Sequence, residues 1–244
     1  MAETGVTTDQ RKMLFSDVDG TLLGDDEALE RLGPLLEDAG VTLVLNSSRQ
    51  VPSLLGSLRD VPHLPRPAFI CGAMGTQVAD GNGSLLDGFA DFVGAGFDRR
   101  EWDALAAELG MTPHANVYQT PLKASFSLGG VDPAVLRERA GDRAKLVVSM
   151  GDDVDLLPVK AGKQAAIGWL CDKLGVDAAA GRVAVAGDSL NDADMFVPPY
   201  RGIVVANAEP GLKRAAPAGE FVYHAEADMA AGVAAGLRHW RLAP

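Results

Sequence analysis

Short runs of aliphatic and β-branched residues alternate along the chain with longer segments that have helical periodicity. The short runs lie at 12–17, 41–46, 67–71, 182–187 and 201–207, and the helical segments lie at 26–38, 50–58, 163–174 and 226–240. Continuous apolar strands that alternate with helices are typical of a parallel sheet covered on both faces. The sequence therefore predicts an α/β fold, in which Gly33-Pro34 breaks the first helix in two.

The pattern changes in the middle of the chain, between residues 80 and 159. It predicts a helix at 99–109, a strand at 122–128, a helix at 132–140 and two short strands at 144–149 and 153–157. This order is typical of a small α+β unit with an antiparallel sheet. We therefore predict two domains, a core of residues 1–79 and 160–244 and an inserted domain of residues 80–159, with glycine-rich candidate hinges near both ends of the insertion.

Polar residues stand at the carboxyl ends of three of the predicted strands. Asp17 ends the first strand, Ser47 follows the second, and Asp188 comes just after the strand at 182–187. Open parallel sheets bind their ligands beyond the carboxyl ends of their strands. We therefore expect these three side chains to meet at one edge of the sheet.

Four short segments contain the residue types that phosphoryl transfer needs. They are DVDGT at 17–21, LNSSR at 45–49, PVKAGK at 158–163 and AGDSLND at 186–192. One carboxylate can attack phosphorus and form an acyl phosphate, while a second protonates the leaving oxygen. Acids beside a phosphate repel it, so such a site needs Mg²⁺, which prefers hard oxygen ligands. A hydroxyl and a lysine can then bind the remaining phosphoryl oxygens.

Each segment also has a simpler interpretation. Asp and Gly after a strand are common turn residues, a serine after a strand is often a helix N-cap, and a lysine that opens a helix is usually a solvated charge. The four segments together, in this order, favour the chemical interpretation. A second Asp-Val-Asp lacks the Gly-Thr that would complete the motif, so we interpret Asp153 and Asp155 as turn and structural residues. We interpret the four histidines as surface or packing residues.

The bulk composition limits the partners and the location of the protein. The 244 residues include 33 acids and 22 bases, which gives a formal charge of −11. Nucleic acids and anionic membranes require clustered Lys and Arg, so we expect neither as a partner. No membrane span is predicted, and MAETGVTTDQ at the start lacks the pattern of a signal peptide. Cys71 and Cys171 are typical of small buried residues in a reducing cytosol, which predicts a cytoplasmic protein.

The four segments resemble the motifs of the haloacid dehalogenase (HAD) superfamily of phosphohydrolases. The insertion lies between the second motif and the lysine, which is similar to the type C2 cap of the Cof-like (type IIB) branch. Within that branch the chain resembles the sucrose-phosphate phosphatase family, through stretches that include ICGAMGTQV, PLKASFSL and AGDSLNDADMF. The resemblance implies a Rossmann-like core with a parallel sheet and an inserted α+β cap domain.

The resemblance also implies roles for the acidic residues and their neighbours. Asp17 would be the nucleophile, and Asp19 would be the general acid and base. The cofactor would be Mg²⁺, bound by Asp17, by Asp19 through its main-chain carbonyl, and by Asp188. Asn191 and Asp192 would support this metal site.

The remaining roles concern the phosphate and the sugar. Ser47 and Lys163 would bind the phosphate by resemblance, and the free amides and hydroxyl of Ser48 fit the same task. In the cap, Lys123 and Gln119 are candidates for contact with the sugar. Alternation along the strand turns Lys123 toward one face of the sheet, where an exposed, solvated lysine is the alternative.

The function that the resemblance implies is a Mg²⁺-dependent phosphatase. Its substrate would be sucrose 6-phosphate or a related disaccharide phosphate, hydrolysed through an aspartyl-phosphate intermediate. The alternatives are a sugar phosphomutase similar to phosphomannomutases and a non-catalytic protein that binds a sugar phosphate. Besides the sugar phosphate, the expected partner is a sugar-phosphate synthase in weak association.

Overall fold

The computed structural model describes residues 10–149 and 151–244, which form two β-sheets and the helices that cover them. Residues 1–9, where the sequence predicts no signal peptide, lie outside the described residues. The strands are β1 (Lys12–Ser16), β2 (Val41–Asn46), β3 (Phe69–Gly72), β4 (Gln77–Asp80), β5 (Thr112–Pro113), β6 (Ala124–Ser127), β7 (Lys145–Ser149), β8 (Asp153–Leu157), β9 (Val183–Gly187), β10 (Arg201–Val204) and β11 (Val222–His224). The α-helices are α1 (Asp26–Ala39), α2 (Val51–Asp60), α3 (Phe89–Gly94), α4 (Arg99–Leu109), α5 (Pro133–Ala140), α6 (Lys163–Leu174), α7 (Pro210–Ala215) and α8 (Met229–His239).

Seven strands form the main sheet, in the order β11-β10-β9-β1-β2-β3-β4. Neighbouring strands are parallel except for the β3–β4 hairpin. Strand β1 lies at the centre and alternates between two buried layers, with Leu14 in one and Met13 and Phe15 in the other. Burial on both faces explains why this strand is a continuous apolar run in the sequence. The predicted parallel α/β core is confirmed.

The first helix is one continuous element, so the prediction that Gly33-Pro34 divides it is wrong. Proline inside a helix removes one main-chain hydrogen bond and costs about 3 kcal/mol. The apolar face of α1 is nevertheless buried on both sides of Pro34, since Leu29, Leu32 and Leu36 all lie in the core. Burial of each leucine contributes about 1.5 to 3 kcal/mol, which together exceeds the cost of the proline.

Four strands form a second, antiparallel sheet in the order β5-β6-β8-β7. Helices α4 and α5 cover one face of this sheet. A separate core lies between the helices and the sheet, and it contains Trp102, Phe126 and Leu156. This arrangement confirms the predicted inserted α+β cap. The opposite face of the sheet contributes residues to a cavity, which it shares with the carboxyl ends of the main-sheet strands.

Residues 80–94 belong to the predicted insertion but contact the main sheet. Asp80 pairs with Phe69 in the β3–β4 hairpin. Helix α3 places Phe89 and Val93 in the same buried layer as Phe15. The sequence does not reveal this, because a four-residue edge strand and a six-residue helix are too short for a clear periodic pattern.

Two further expectations from composition bear on the described residues. None of the helices within 10–149 and 151–244 is long and apolar enough to cross a membrane. Cys71 and Cys171 are both buried and free, as predicted. Burial raises the pKa of the Cys71 thiol, so this residue packs as a small apolar side chain of the core.

Candidate active site

Asp17 and Asp19 lie at the carboxyl end of β1 in different environments. Asp17 is 5% exposed, and its main-chain N–H donates to the Ala186 carbonyl at 2.9 Å, which fixes the residue against β9. The side chain of Asp19 is 56% exposed, and its carboxylate lies 3.4 Å from the Arg49 guanidinium. The carboxylate of Asp17 is therefore buried, while that of Asp19 is exposed to solvent at the same strand end.

Gly20 allows Asp188 to approach the end of β1. It has a φ of +82°, and a Cβ atom at this position would lie 2.5 Å from Asp188 Oδ2. The hydroxyl of Thr21 donates to Asp188 Oδ1 at 3.0 Å. The amide of Asn207 donates to the Gly20 carbonyl at 2.7 Å, which fixes the turn from the other side. The structure thus brings the DVDGT and AGDSLND segments into direct contact.

Lys163 connects two of the carboxylates at this edge of the sheet. Its Nζ donates to Asp17 Oδ1 at 2.6 Å and to Asp192 Oδ1 at 2.5 Å, and the lysine is 2% exposed. Desolvation raises the pKa of Asp17 to about 7, although the Lys163 ammonium acts in the opposite direction. Burial lowers the pKa of Lys163, but Asp17 and Asp192 outweigh this effect and raise it. A buried ammonium with two carboxylates leaves one negative charge in excess, which favours binding of a further cation.

The carboxylates themselves fit a hard metal ion. Asp17, Asp188 and Asp192 offer oxygen atoms that all lie within 4.8 Å of one another. Burial, followed by the nearby Asp192, raises the pKa of Asp188 to about 6. A divalent cation would relieve the repulsion within this cluster, and oxygen ligands of this kind are those that Mg²⁺ prefers.

The structure shows the surroundings of Asp19 and Asp192, two residues predicted to bind or support a metal. The Asp19 carboxylate is directed to Arg49 and is not part of the carboxylate cluster, so only its main-chain carbonyl is left for a metal. Asp192 lies in the cluster, but its Oδ2 accepts from the main-chain N–H groups of Asp188 and Ser189, both at 3.1 Å. Since its Oδ1 contacts Lys163, hydrogen bonds already engage both oxygens of Asp192.

Ser47 and Ser48 follow β2 at the same edge. Ser47 is fully buried, and its hydroxyl accepts from the main-chain N–H of Arg49 at 3.2 Å. Ser48 is partly exposed and lines the cavity between the two sheets. Neither serine is the N-cap of α2, because the cap residue of that helix is Gln50. The interpretation of Ser47 as an ordinary helix cap is therefore wrong.

A cavity of about 640 Å³ lies between the cap sheet and the strand ends. A second cavity of about 230 Å³ adjoins it, shares Met74, Val147 and Asn191 with it, and reaches Lys163. Most of the residues that line the larger cavity have polar side chains. Its core side is lined by Ser48, Arg49, Gln50, Ser53, Met74 and Asn191, and its cap side by His114, Val117, Tyr118, Lys123, Ser125, Val147, Ser149, Asp153 and Asp155.

Lys123 is buried in the cap and lines the larger cavity. Its Nζ lies 3.0 Å from Asp155 Oδ2, and the Ser125 hydroxyl donates to the other oxygen of Asp155 at 2.5 Å. Lysine 123 and Ser125 share the cavity face, while Ala124 and Phe126 pack into the cap core, as alternation along a strand requires. The alternative of a fully solvated lysine is therefore wrong for Lys123.

The side chain of Gln119, the other candidate for contact with the sugar, bonds to main-chain groups of the cap. Its amide nitrogen donates to the carbonyls of His114 and Ser125 at 3.1 and 2.6 Å, and its oxygen accepts from the Ser125 N–H at 2.9 Å. These bonds use both amide hydrogens, and Gln119 is not among the residues that line the larger cavity. The side chain positions the 114–119 loop against β6, and a contact between Gln119 and the sugar stays a prediction.

Sequence reasoning missed several residues that line the larger cavity. Arg49 belongs to the LNSSR segment, so its place in that motif was an available signal. His114 lies 3.2 Å from the Asp153 carboxylate, and the Tyr118 ring meets it edge-on with centroids 6.1 Å apart. His114 and Tyr118 lie before β6, whereas Asp153 and Asp155 lie on β8, and the pairing of β6 with β8 brings them to the same cavity. The spacing of residues in the sequence does not specify this register.

The fold and the site can be compared with known proteins. The family model of sucrose-6F-phosphate phosphohydrolases matches residues 10–241. The mannosylfructose-phosphate phosphatase of Agrobacterium fabrum is 37% identical, over 96% of this chain and 98% of that protein. Sucrose-phosphatase 1 of Nicotiana tabacum is 32% identical over 98% of this chain, and the chain spans only 61% of that longer protein.

A solved structure shows the same architecture. The sucrose-phosphatase of Synechocystis sp. PCC6803, in complex with sucrose and phosphate, superposes with a TM-score of 0.83 and 26% identity. The superposition covers 96% of this chain and 99% of that one. This chain therefore belongs to the sucrose-6F-phosphate phosphohydrolase family of the HAD superfamily, and it is a sugar phosphatase, a phosphoric monoester hydrolase.

Proposed function

We propose that this chain hydrolyses the phosphate ester of a disaccharide, sucrose 6-phosphate or a related glycosyl-sugar phosphate, with Mg²⁺ and through an aspartyl phosphate on Asp17. The observation that carries the proposal is a large cavity, lined mostly by residues with polar side chains, that adjoins a smaller cavity reaching Lys163, the partner of the buried Asp17. A phosphate beside this pair would leave its sugar in the larger cavity. Names of the relatives support the substrate class, since they are phosphatases of sucrose phosphate and mannosylfructose phosphate.

The first step transfers the phosphoryl group to the enzyme. A carboxylate oxygen of Asp17 forms a bond to phosphorus as the bond from phosphorus to the sugar oxygen breaks. Asp19 donates its proton to that leaving oxygen, and its exposed position beside Arg49 supports this role. Lys163 contacts one oxygen of Asp17, which fixes the orientation of the nucleophile.

The second step releases phosphate and restores the enzyme. Asp19 takes a proton from a water molecule, whose oxygen attacks phosphorus while the bond to Asp17 breaks. Lys163 and the hydroxyl or amide groups of Ser47 and Ser48 bind the phosphoryl oxygens throughout. Mg²⁺, bound by Asp17, Asp188 and the Asp19 carbonyl with Asn191 and Asp192 in support, would supply positive charge against those oxygens.

The larger cavity supports a sugar substrate with two rings. Its volume of about 640 Å³ lies within the range of pockets that enclose small-molecule ligands. Lys123, Ser125 and Asp155 offer donors and acceptors that sugar hydroxyls can pair with. A sugar that left these buried groups unpaired would bind much more weakly, so this side of the cavity is where we place selectivity.

Phosphate release from a panel of sugar phosphates tests the proposal. Sucrose 6-phosphate and mannosylfructose phosphate should release phosphate with Mg²⁺ and not with EDTA. A phosphomutase, the alternative function, would instead require a sugar bisphosphate and would return phosphate to the sugar. Rapid release of inorganic phosphate without any bisphosphate would exclude that alternative, and isomerised sugar phosphate as the main product would overturn the proposal.

Three further parts of the proposal concern organisation. We place the core domain at residues 1–79 and 160–244 and the cap at 80–159, although the packing of α3 supports a movable part that begins nearer Gly94.

The free, buried Cys71 and Cys171 support a cytoplasmic enzyme. A weak association with a sugar-phosphate synthase is tested by sedimentation of the two purified enzymes together.

A further inference from the structure

The chain returns from the cap to the core through residues 158–162, and a cap lysine contacts this linker. Lys145 stands at the start of β7, and its Nζ donates to the main-chain carbonyl of Ala161 at 3.1 Å. The same Nζ lies 3.7 Å from Asp194 Oδ2. Since Asp194 follows the AGDSLND segment of the core, this ion pair joins the cap sheet to the core at the linker.

Asp194 is attached firmly to the core side of this contact. Its carboxylate accepts from the main-chain N–H of Gln164, in the first turn of α6. Its Oδ1 is buried and lacks a hydrogen-bond partner within the described residues. A carboxylate with an unpaired buried oxygen gains more from a nearby ammonium than a solvated one does. The cap lysine therefore meets a site that the core has already fixed.

Two glycines allow the linker to lie between the paired side chains. A Cβ atom on Gly162 would lie 2.4 Å from Asp194 Oδ2 and 3.1 Å from Lys145 Nζ. A Cβ atom on Gly75 would lie 2.0 Å from the Gly162 carbonyl oxygen. Without both glycines, the linker could not occupy the space between Lys145, Asp194 and the turn after β3.

The pair borders the space where the reaction is proposed to occur. Lys145 and Asp194 both line the smaller cavity, which also reaches Lys163. On the same face of the cap sheet, Val147 lines both cavities, and Lys123 lines the larger one. A change in the position of β7 relative to the core would therefore move the sugar-facing side of the cap.

We propose that Lys145 and Asp194 are positioning residues, whose ion pair keeps the cap sheet over the strand ends and so sets the affinity for the sugar part of the substrate. The inference rests on the proposed function, because it assumes that the cap binds the sugar. Neither side chain contacts the reacting phosphate in this role. Loss of the ion pair should therefore have little effect on the hydrolysis of a small substrate that lacks the sugar.

Kinetics of Lys145→Met and Asp194→Asn test this inference. Each change removes one charge and keeps the side-chain length, and Asn can still accept from Gln164. We expect each variant to raise the KM for the disaccharide phosphate roughly two- to fivefold, the range for a partly exposed ion pair, with kcat nearly unchanged. Activity on p-nitrophenyl phosphate should change less than activity on the disaccharide phosphate. The KM of the double variant should be no higher than that of the single variant with the larger effect.

A control and an activity-independent readout complete the test. Lys160→Met removes a lysine of the same linker whose ammonium lies 5.5 Å from the centroid of the Phe92 ring, and it should leave the KM unchanged. Trypsin cleavage after Lys160 should be several-fold faster than in wild type in Lys145→Met, which removes the bond to the Ala161 carbonyl, and in Asp194→Asn, which removes the charge that holds Lys145 beside that carbonyl. This readout stands even if wild type does not hydrolyse the disaccharide phosphate. Additive effects of the two changes, equal losses on both substrates, or unchanged cleavage at Lys160 would each overturn the inference.

Discussion

The ammonium of Lys163 lies 2.6 Å from a carboxylate oxygen of Asp17, and both side chains are buried. Removal of this ammonium leaves Asp17 and Asp192 as uncompensated buried acids. We expect Lys163→Met to lower kcat/KM by at least about a hundredfold, because it removes both the fixed nucleophile and a phosphate ligand. It should also lower the free energy of unfolding by about 3 to 5 kcal/mol at neutral pH, as loss of one partner from a buried pair does.

Steady-state kinetics and chemical denaturation measure the two effects of Lys163→Met. The matched control is Lys173→Met, which removes an exposed lysine from the other end of α6. That control should retain full activity and stability. If Lys163→Met kept more than a tenth of wild-type activity, the proposed role of the lysine at the phosphate would be wrong.

The carboxylate cluster predicts a strict requirement for a divalent cation. Asp188→Asn should abolish activity at ordinary Mg²⁺ concentrations or shift the required concentration steeply upward, because it removes one of the charged oxygen ligands. Ca²⁺ should not replace Mg²⁺, since its larger and more variable coordination misplaces nucleophile and phosphate. Titration of activity with each metal, after treatment with EDTA, checks this. Undiminished turnover in EDTA would remove the metal from the account.

The raised pKa values of two acids predict how stability depends on pH without metal. Asp17 has a pKa of about 7 and Asp188 of about 6 in the folded protein, both above the usual value of 3.8. The folded state therefore binds more protons than the unfolded state between about pH 4 and 7. This contribution to stability is complete below about pH 4, falls steadily as the pH rises above 4, and is gone once the pH has passed the folded pKa values of about 6 and 7.

Denaturation curves at several pH values, in EDTA, measure this loss. We expect Asp17→Asn to flatten the decline between pH 5 and 8, since the amide cannot ionise. The change should be on the order of a few kcal/mol. Mg²⁺ should stabilise wild type most at the high end, where the acids are ionised and ready to bind it. A wild-type curve with no decline over this range would contradict the environment assigned to Asp17.

Lys123 should discriminate between substrates. We expect Lys123→Met to lower kcat/KM for the disaccharide phosphate by about a hundredfold, because a buried group that pairs with sugar hydroxyls is lost and Asp155 loses its cationic partner. Activity on p-nitrophenyl phosphate, which has no sugar, should fall only slightly. Gln119→Ala serves as the comparison, since its contacts are to the main chain and it should affect folding of the cap loop instead. Equal losses on both substrates for Lys123→Met would mean that the lysine supports the cap and does not bind the sugar.

The sequence was most informative where chemistry and periodicity coincide. Strand β1 is a continuous apolar segment of the sequence because both of its faces are covered. The end of that segment correctly predicts that Asp17 lies at the carboxyl end of the strand. The α1 helix shows the limit of local rules, since the burial of its leucines decides against the break expected at Pro34.

The cap side of the site depends on contacts that are distant in sequence. Asp155 reads as a structural residue of a hairpin until the pairing of β6 with β8 brings it to Lys123 and Ser125. Gln119 is polar and near the correct strand, yet its amide is used by the main chain. Such differences depend on register and side-chain direction, which the spacing of residue types does not specify.

The most direct test of the account is to trap the phosphoryl group on Asp17. Wild-type enzyme mixed with Mg²⁺ and sucrose 6-phosphate or mannosylfructose phosphate is quenched in acid within its first turnovers, digested with pepsin, and examined by mass spectrometry. We predict one added phosphoryl group on the peptide that contains Asp17, and neither the label nor turnover in a folded Asp17→Asn variant. Rapid turnover of the disaccharide phosphate with no phosphoryl group on Asp17, or turnover by Asp17→Asn, would contradict the proposed mechanism.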